Sequence, residues 1–482
     1  MKASNRTKTT VTLCAALFFF ACTRGDLIPD REEVTRDIPV NTDKETQVSV
    51  NQATDIAKIF FGKYSGETNL RSAKAPKTVS SIETVNDSVG SALMYVINFS
   101  EGGFVIVGAT RNYYPVLAYS DDNSFTLSPD MGAVSVWMGE TENAVKTSDA
   151  LDDQTKKAMQ ALWNRYEMTD SVASSKPTLR SSSSTPYDAM MERMNELYYQ
   201  YGPDGWYRFY ALSYAGSYFP AGTTTWDDLC NTANSVGSPP DYTIVAIKED
   251  VTTQQVGPLL TTQWHQLYPF NYLCPNGSPA GCVAIAMAQI MKFHQWPTSF
   301  NWSNMPDYDY QTTTSSSTPA LIKNIGDAVK MVYDSTSSSA YDIDAKNAFQ
   351  NNYSYNATLA GYNATQVRNE ILNNKRPVYM SGTDNSVGKG HAWVCDGAKE
   401  NNGKYYYFVE YQFGGDGSYS YNNLGYTSAT YPGFAGSYNS LYFYMKWGQL
   451  YGDKDGWFIG DNINLGDRNY QSGRVNIFVS PK

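Results

Sequence analysis

The sequence predicts an α+β protein, and three observations carry that expectation. Strand-like runs recur with short Gly-containing breaks, as in SALMYVINFS and GGFVIVGAT on either side of Glu101-Gly102-Gly103. Helical spacing of apolar residues marks other segments, and one of them, from Gly281 to about Phe293, is apolar almost all round, as a helix buried on every side must be. The composition agrees: 14% aromatic residues and 36 Gly in 482 residues argue against disorder and against a helical repeat array. Charged residues make up only 17%, against about 25% in a typical soluble domain, and Ser, Thr, Asn, Gln and 38 Tyr fill the gap. That is the profile of an exported, strand-rich globular protein. The net charge of −10 argues against a phosphate-binding surface spread over the chain, so nucleic acid is not an expected partner.

Taken in order, residues 1–21 read as a signal peptide of the lipoprotein type. Lys2, Arg6 and Lys8 precede the apolar stretch VTLCAALFFFA, which is too short to span a bilayer and ends in Ala21-Cys22. Cys22 is the expected lipid-bearing residue, although Phe19 and Phe20 stand where smaller residues are usual; a plain secretory signal cut near Ala21 is the alternative. The expected location is therefore the cell envelope, as a lipid-anchored precursor, with release after processing. Residues 22–45 are polar and read as a tether. Over 46–150, the helical spacing of Ala53, Ile56, Ala57, Phe60 and Phe61 followed by three strand-like runs predicts a helix-plus-antiparallel-sheet unit. A helical pattern from Asp152 to Glu167 opens a connecting region, 151–241. It contains SSKPTLRSSSSTP and the Asn231–Pro240 loop, both without apolar anchors and so suited to proteolytic cutting. Residues 242–482 read as one further domain.

Candidate chemistry is limited, because the chain has three histidines, His265, His294 and His391. Pro279-Ala280-Gly281 lead into the buried helix and place Cys282 in its first turn, where unpaired N–H groups and the helix dipole favour a thiolate. His294 lies twelve residues along the same helix, about 18 Å away, too far to act as base for that thiol. His265 could approach from a loop. His391 opens a strand-like run, GHAWVCDGA, whose alternation puts His391, Trp393 and Cys395 on one face and Ala392, Val394 and Asp396 on the other; it is the better geometric partner for Cys282. Cys14 leaves with the signal, so Cys230, Cys274, Cys282 and Cys395 could form two disulfides or leave a working thiol free. No Cys/His spacing suits structural zinc, and Asp453-Lys454-Asp455-Gly456 reads as a hairpin turn rather than a calcium loop.

These segments together make the chain recognisable. WHQLYPFNYLCP, GCVAIAMAQIMKFHQWP, IGDAVKMVYDSTSSSA, VRNEILNNKRPVYMSG and GHAWVCDGA resemble, in order, the streptopain family of papain-like cysteine peptidases. VNQATDIAKIFF and YVINFSEGGFVIVGATRNYYPVLAYSD resemble its inhibitory propeptide domain. The resemblance implies a papain-like catalytic domain, a buried Cys-bearing helix packed on a curved antiparallel sheet, preceded by the propeptide domain. It implies Cys282 as nucleophile, His391 as general base and acid, and Gln266 with the Cys282 N–H as the oxyanion site; Gln263 is the fallback if the loop register shifts. His294 is expected to be structural. The family's Asn-Trp-Gly segment is matched by Lys446-Trp447-Gly448, which makes Trp447 the expected shield of the pair but puts Lys446 where Asn would orient the imidazole. Asn422, Asn439 or a backbone carbonyl could replace that Asn. If Lys446 had merely replaced it, Lys446→Asn should raise activity.

The expected function is hydrolysis of peptide bonds through a Cys282 thioester, by an endopeptidase made as a zymogen and inhibited by its own propeptide. Protein or peptide substrates are implied, and neither metal nor organic cofactor is needed. Two other readings stand beside it: a catalytically silent relative that binds peptides or inhibits proteases, and a surface glycan-binding lipoprotein suggested by Tyr, Trp and Asn richness alone.

Overall fold

The computed structural model describes residues 46–63, 77–128, 131–152, 155–156, 159, 162–163, 166, 206–212, 242–384, 389–413, 420–423, 437–450, 454–460 and 473–482. The signal, the tether, Cys22, Cys230 and both proposed cutting segments lie outside the described residues. No helix among the described residues is long and apolar enough to cross a membrane.

Helix α1, Val50–Lys63, starts at a reciprocal cap: the Ser49 N–H donates to Gln52 Oε1 (2.8 Å) and the Gln52 N–H to Ser49 Oγ (3.3 Å). Its apolar stripe then buries Ala53, Ile56, Ala57, Phe60 and Phe61. They pack on an antiparallel meander of β1 (Val79–Asn86), β2 (Ala92–Phe99), β3 (Phe104–Gly108) and β4 (Val116–Ser120), with Phe61 edge-on to Phe99 at 4.8 Å and Phe60 to Tyr119 at 4.7 Å. Helix α2, Val134–Thr147, follows and buries Val134, Val136, Trp137 and Met138. Helix and antiparallel sheet together match the fold class expected of the propeptide domain.

The second half contributes β5 (Trp206–Leu212), β6 (Tyr242–Val256), α3 (Cys282–His294), α4 (Ser317–Ala328), α5 (Asp342–Asn351), β7 (Tyr355–Gly361), α6 (Ala364–Leu372), β8 (Val378–Asp384), β9 (Lys389–Phe413), β10 (Ser420–Asn423), β11 (Ser437–Lys446), β12 (Gly456–Ile459) and β13 (Val475–Pro481). All strands join one antiparallel sheet ordered β1-β2-β3-β4-β12-β11-β9-β8-β13-β7, with β10 and β6 also on β9 and β5 on β6. The sheet is thus continuous across the two regions separated by 151–241, through the pairs Trp457↔Tyr119 and Phe458↔Ala118 of β12 and β4. It also reaches into that region, since β5 pairs with β6; the fold therefore makes 206–212 a strand of the C-terminal sheet.

Two cores flank the central strands. Met380, Trp393 and Cys395 belong to one with α1 and α2, whereas Tyr379, Ala392 and Val394 belong to the other around α3. That partition is the period-two alternation expected of β8 and β9. Cys274, Cys282 and Cys395 are free thiols.

Candidate active site

The start of α3 is shaped by Gly281. Its φ is 88°, in the region that favours glycine, and a Cβ there would also press on the end of the Met331 side chain, 2.6 Å from Sδ. The following helix buries every residue from Val283 to Met291, and the half-buried free thiol of Cys282 stands at its N-terminus. Burial pushes the Cys282 thiol up; the backbone N–H groups of Ala392, Val283 and Cys282 itself draw it down, and Asp342 adds to the rise. The raised pKa favours the neutral thiol at Cys282, which lies against the backbone N–H of Ala392, the residue that follows His391. Asp342 had no signature in the sequence. At the start of α5 it accepts from Tyr379 Oη (2.7 Å) and Ser381 Oγ (2.8 Å), which fixes a carboxylate near the sulfur.

Gln266 lies in a loop stitched to the same helix end. Its carbonyl accepts the Ala280 N–H at 2.8 Å, two residues before Cys282. Thr262 Oγ1 donates to Gln289 Oε1 of α3 at 3.0 Å, and the Gln263 N–H is drawn away to the Asp307 carbonyl at 2.7 Å. His265 is 2% exposed; its Nδ1 accepts the Leu267 N–H at 3.2 Å and Nε2 stands 3.6 Å from Asp309 Oδ2. That ring braces the loop. At the far end of α3, His294 Nδ1 is 3.3 Å from Tyr355 Oη, and burial lowers the imidazole pKa to about 4.

His391 pairs with Gly382 across β9 and β8, and the alternation groups it with Trp393 rather than with Ala392. Trp447 is 2% exposed and belongs to that same face, with its ring 5.3 Å from Trp393 and 5.0 Å from Phe458 and its Nε1 donating to the Lys454 carbonyl (3.0 Å). Gly448 carries the loop over α3: a Cβ there would be 3.4 Å from Ile285 Cγ2 and 3.9 Å from the Trp264 carbonyl.

Lys446, which matches the family's Asn position in sequence, pairs with Val394 and not with His391. Pairing shifts by one residue between Tyr444 (opposite Gly397) and Met445 (opposite Cys395), so Asp396 is the extra residue of a bulge and Lys446 falls opposite Val394. Its ammonium is 3.4 Å from Asp455 Oδ2 and draws down the pKa of Asp396, which burial nevertheless raises to about 7. Asp396 Oδ2 accepts the Leu260 N–H (2.9 Å), and Asp455 Oδ1 accepts the Trp447 N–H (2.9 Å). Asp455, part of a run that the sequence marks as a turn, is thus a buried anchor for the Trp447 loop.

Residues 123–140 pack against this surface. Asn123 Nδ2 donates to the Asp455 carbonyl (2.8 Å), the Lys454 N–H to the Ser124 carbonyl (3.2 Å), and Gln449 Nε2 to the Met131 carbonyl (2.6 Å). Val136 of α2 covers Gly382, and Glu140 faces Arg474 at 2.5 Å. Burial pushes the Glu140 carboxyl up from 4.5 to about 7 against the pull of Arg474. Between those two values the folded chain holds a proton that the unfolded chain has lost, so this contribution to stability falls as pH rises through the window. Glu140→Gln should therefore raise the melting temperature relative to wild type more at pH 8 than at pH 5. Calorimetry showing the same difference at both pH values would contradict the buried placement of Glu140.

Fold and site define a thiol-bearing α+β catalytic domain joined to a preceding domain that lies against it. Comparison with known proteins agrees. Residues 45–145 match the family model described as Spi protease inhibitor, and residues 264–301 and 298–458 match the Peptidase C10 family. The chain is similar to the thiol protease/hemagglutinin PrtT of Porphyromonas gingivalis, 30% identical over 28% of this chain and 20% of that protein. It is also similar to streptopain of Streptococcus pyogenes, 29% identical over 36% of this chain and 57% of that protein. These alignments therefore span about a fifth and somewhat over half of the two relatives. A solved fragment of Prevotella intermedia prointerpain A aligns over 83% of this chain and 98% of that one, with 16% identity and a TM-score of 0.43. Residues 45–145 are thus a Spi-type inhibitor domain and residues 264–458 a Peptidase C10 domain, in the order propeptide then peptidase.

Proposed function

We propose that the protein is an exported cysteine endopeptidase made as a zymogen. The observation that carries this reading is the placement of Cys282 at the N-terminus of α3 against the Ala392 N–H, next to His391, on a sheet shared with a propeptide domain. In the working enzyme the His391 imidazole takes the thiol proton. The Cys282 sulfur then attacks the scissile carbonyl carbon, and the oxyanion is received by the Cys282 N–H and the Gln266 side chain. Imidazolium returns the proton to the leaving amine, leaving a Cys282 thioester; water, deprotonated by His391, hydrolyses it and frees the thiol. Trp447 keeps water from the pair. The raised thiol pKa, and the cover that α2 gives to Gly382, the strand partner of His391, fit the precursor state.

Lipid on Cys22 would tether the propeptide side of the chain. Cutting within 167–205 would not by itself free the peptidase, because β4 stays paired with β12 and Trp137 stays edge-on to Phe458 at 4.8 Å. Release requires that β4 be stripped from β12. One experiment tests activity and location together: cells expressing the full chain are fractionated and treated with an active-site-directed thiol probe. The expected result is unlabelled precursor in membranes and a shorter, soluble form labelled at Cys282, with labelling lost in His391→Ala. Absence of label from every processed form would sink the peptidase reading; labelled enzyme found only with membranes would sink the release model.

A further inference from the structure

Three adjacent strands present one row on the His391 face: His391 on β9, its partner Gly382 on β8, and Arg474 at the entrance to β13, one residue before the Val475↔Ser381 pair. At about 4.8 Å between strands, the ends of the row are about 10 Å apart. Gly382 leaves the middle open. Val136 Cγ1 fills that opening, 2.7 Å from where a Cβ would be, and Arg474 Cγ lies 3.3 Å from the same point. Glu140, one turn along α2 from Val136, sits on Arg474 at 2.5 Å.

Glu140 Oε2 and Arg474 Nη2 form a buried ion pair, whereas the buried Arg474 Nε has no hydrogen-bond partner among the described residues. Meanwhile the guanidinium is held by aromatic rings, 5.2 Å from Tyr362 and 5.8 Å from Trp393. A planar fork fixed by two rings, paired only with Glu140 and with no side chain at Gly382 between it and His391, suits a carboxylate approaching on an extended peptide once Glu140 has left.

We propose that Arg474 is a specificity-determining residue that receives the carboxylate of a substrate Glu or Asp once α2 has left, and that Glu140 occupies its place in the precursor. The assignment rests on the peptidase reading. Ten ångströms is about three residues of extended chain, so the acidic residue lies within about three positions of the scissile bond.

The test uses the processed full chain and fluorogenic peptides in pairs that differ only by Glu or Gln at one of three positions on either side of the cleavage point. Wild type should prefer Glu at one position by about tenfold in kcat/KM, the scale of one charge-assisted pairing. Arg474→Gln should remove the preference while still cleaving the Gln peptide. Equal cleavage of every pair by wild type, or a preference that survives Arg474→Gln, overturns the proposal. Should Arg474→Gln fail to fold, Arg474→Lys keeps the charge without the fork and should reduce the preference to about threefold; an undiminished preference counts against Arg474. If processed wild type hydrolyses no peptide, the peptidase reading falls and the subsite is judged by fluorescence anisotropy with Cys282→Ala. About tenfold tighter binding of one Glu peptide supports it, and equal binding of all pairs overturns it.

Discussion

Replacing Cys282 by Ala is expected to bring peptide hydrolysis by the processed protein down to assay background, a loss on the order of a millionfold where the assay can follow it. No other thiol can substitute among the described residues: Cys274 and Cys395 are buried, and burial is the leading cause raising both their pKa values. The fold should persist, because the substitution removes one half-buried sulfur and leaves the Gly281 turn and the buried stretch Val283–Met291 untouched. Gln266→Ala should lower turnover by about two to three orders of magnitude, the scale of losing one oxyanion donor. Casein cleavage that survives in purified Cys282→Ala would remove Cys282 from the mechanism, and unchanged turnover in Gln266→Ala would remove the glutamine.

What the sequence made legible was local. The Gly-Cys step before an all-round apolar run announces a buried helix with a thiol at its start, and both features depend on neighbouring residues alone. The alternation of His391, Trp393 and Cys395 against Ala392 and Val394 was equally readable, and the two cores follow it. Long-range pairing was not readable. Nothing in VLAYS or GWFI says that β4 and β12 will meet across more than three hundred residues and merge propeptide and peptidase into one sheet. Asp342 escaped notice because its proximity to Cys282 depends on how α5 packs, and its partners Tyr379 and Ser381 lie on a strand 37 and 39 residues away. The phase at Lys446 was hidden for a sharper reason. A single bulge at Asp396 changes the phase of β11 against β9, and in a sheet one residue of phase moves a side chain to the opposite face.

That bulge makes Lys446→Asn an expected loss rather than a gain. Lys446 is 7% exposed between Asp396 (0%) and Asp455 (3%), and its ammonium is their shared positive partner among the groups identified there. Asparagine would leave two buried carboxyls without that charge, at a cost of about 3–5 kcal/mol for breaking a buried pair from one side. On a chain of this size the melting temperature should fall by about 3–5 °C. The damage should spread to the site, because Asp396 fixes the Leu260 N–H at the root of the Gln266 loop and Asp455 fixes the Trp447 N–H. Turnover should therefore fall together with stability. Adding Asp396→Asn to Lys446→Asn removes one orphaned charge and should recover part of the melting temperature, a coupling that a double-mutant cycle reads directly. A Lys446→Asn enzyme that is faster than wild type and melts at the same temperature would place the lysine back beside His391, and with it the orienting role that the bulge denies it.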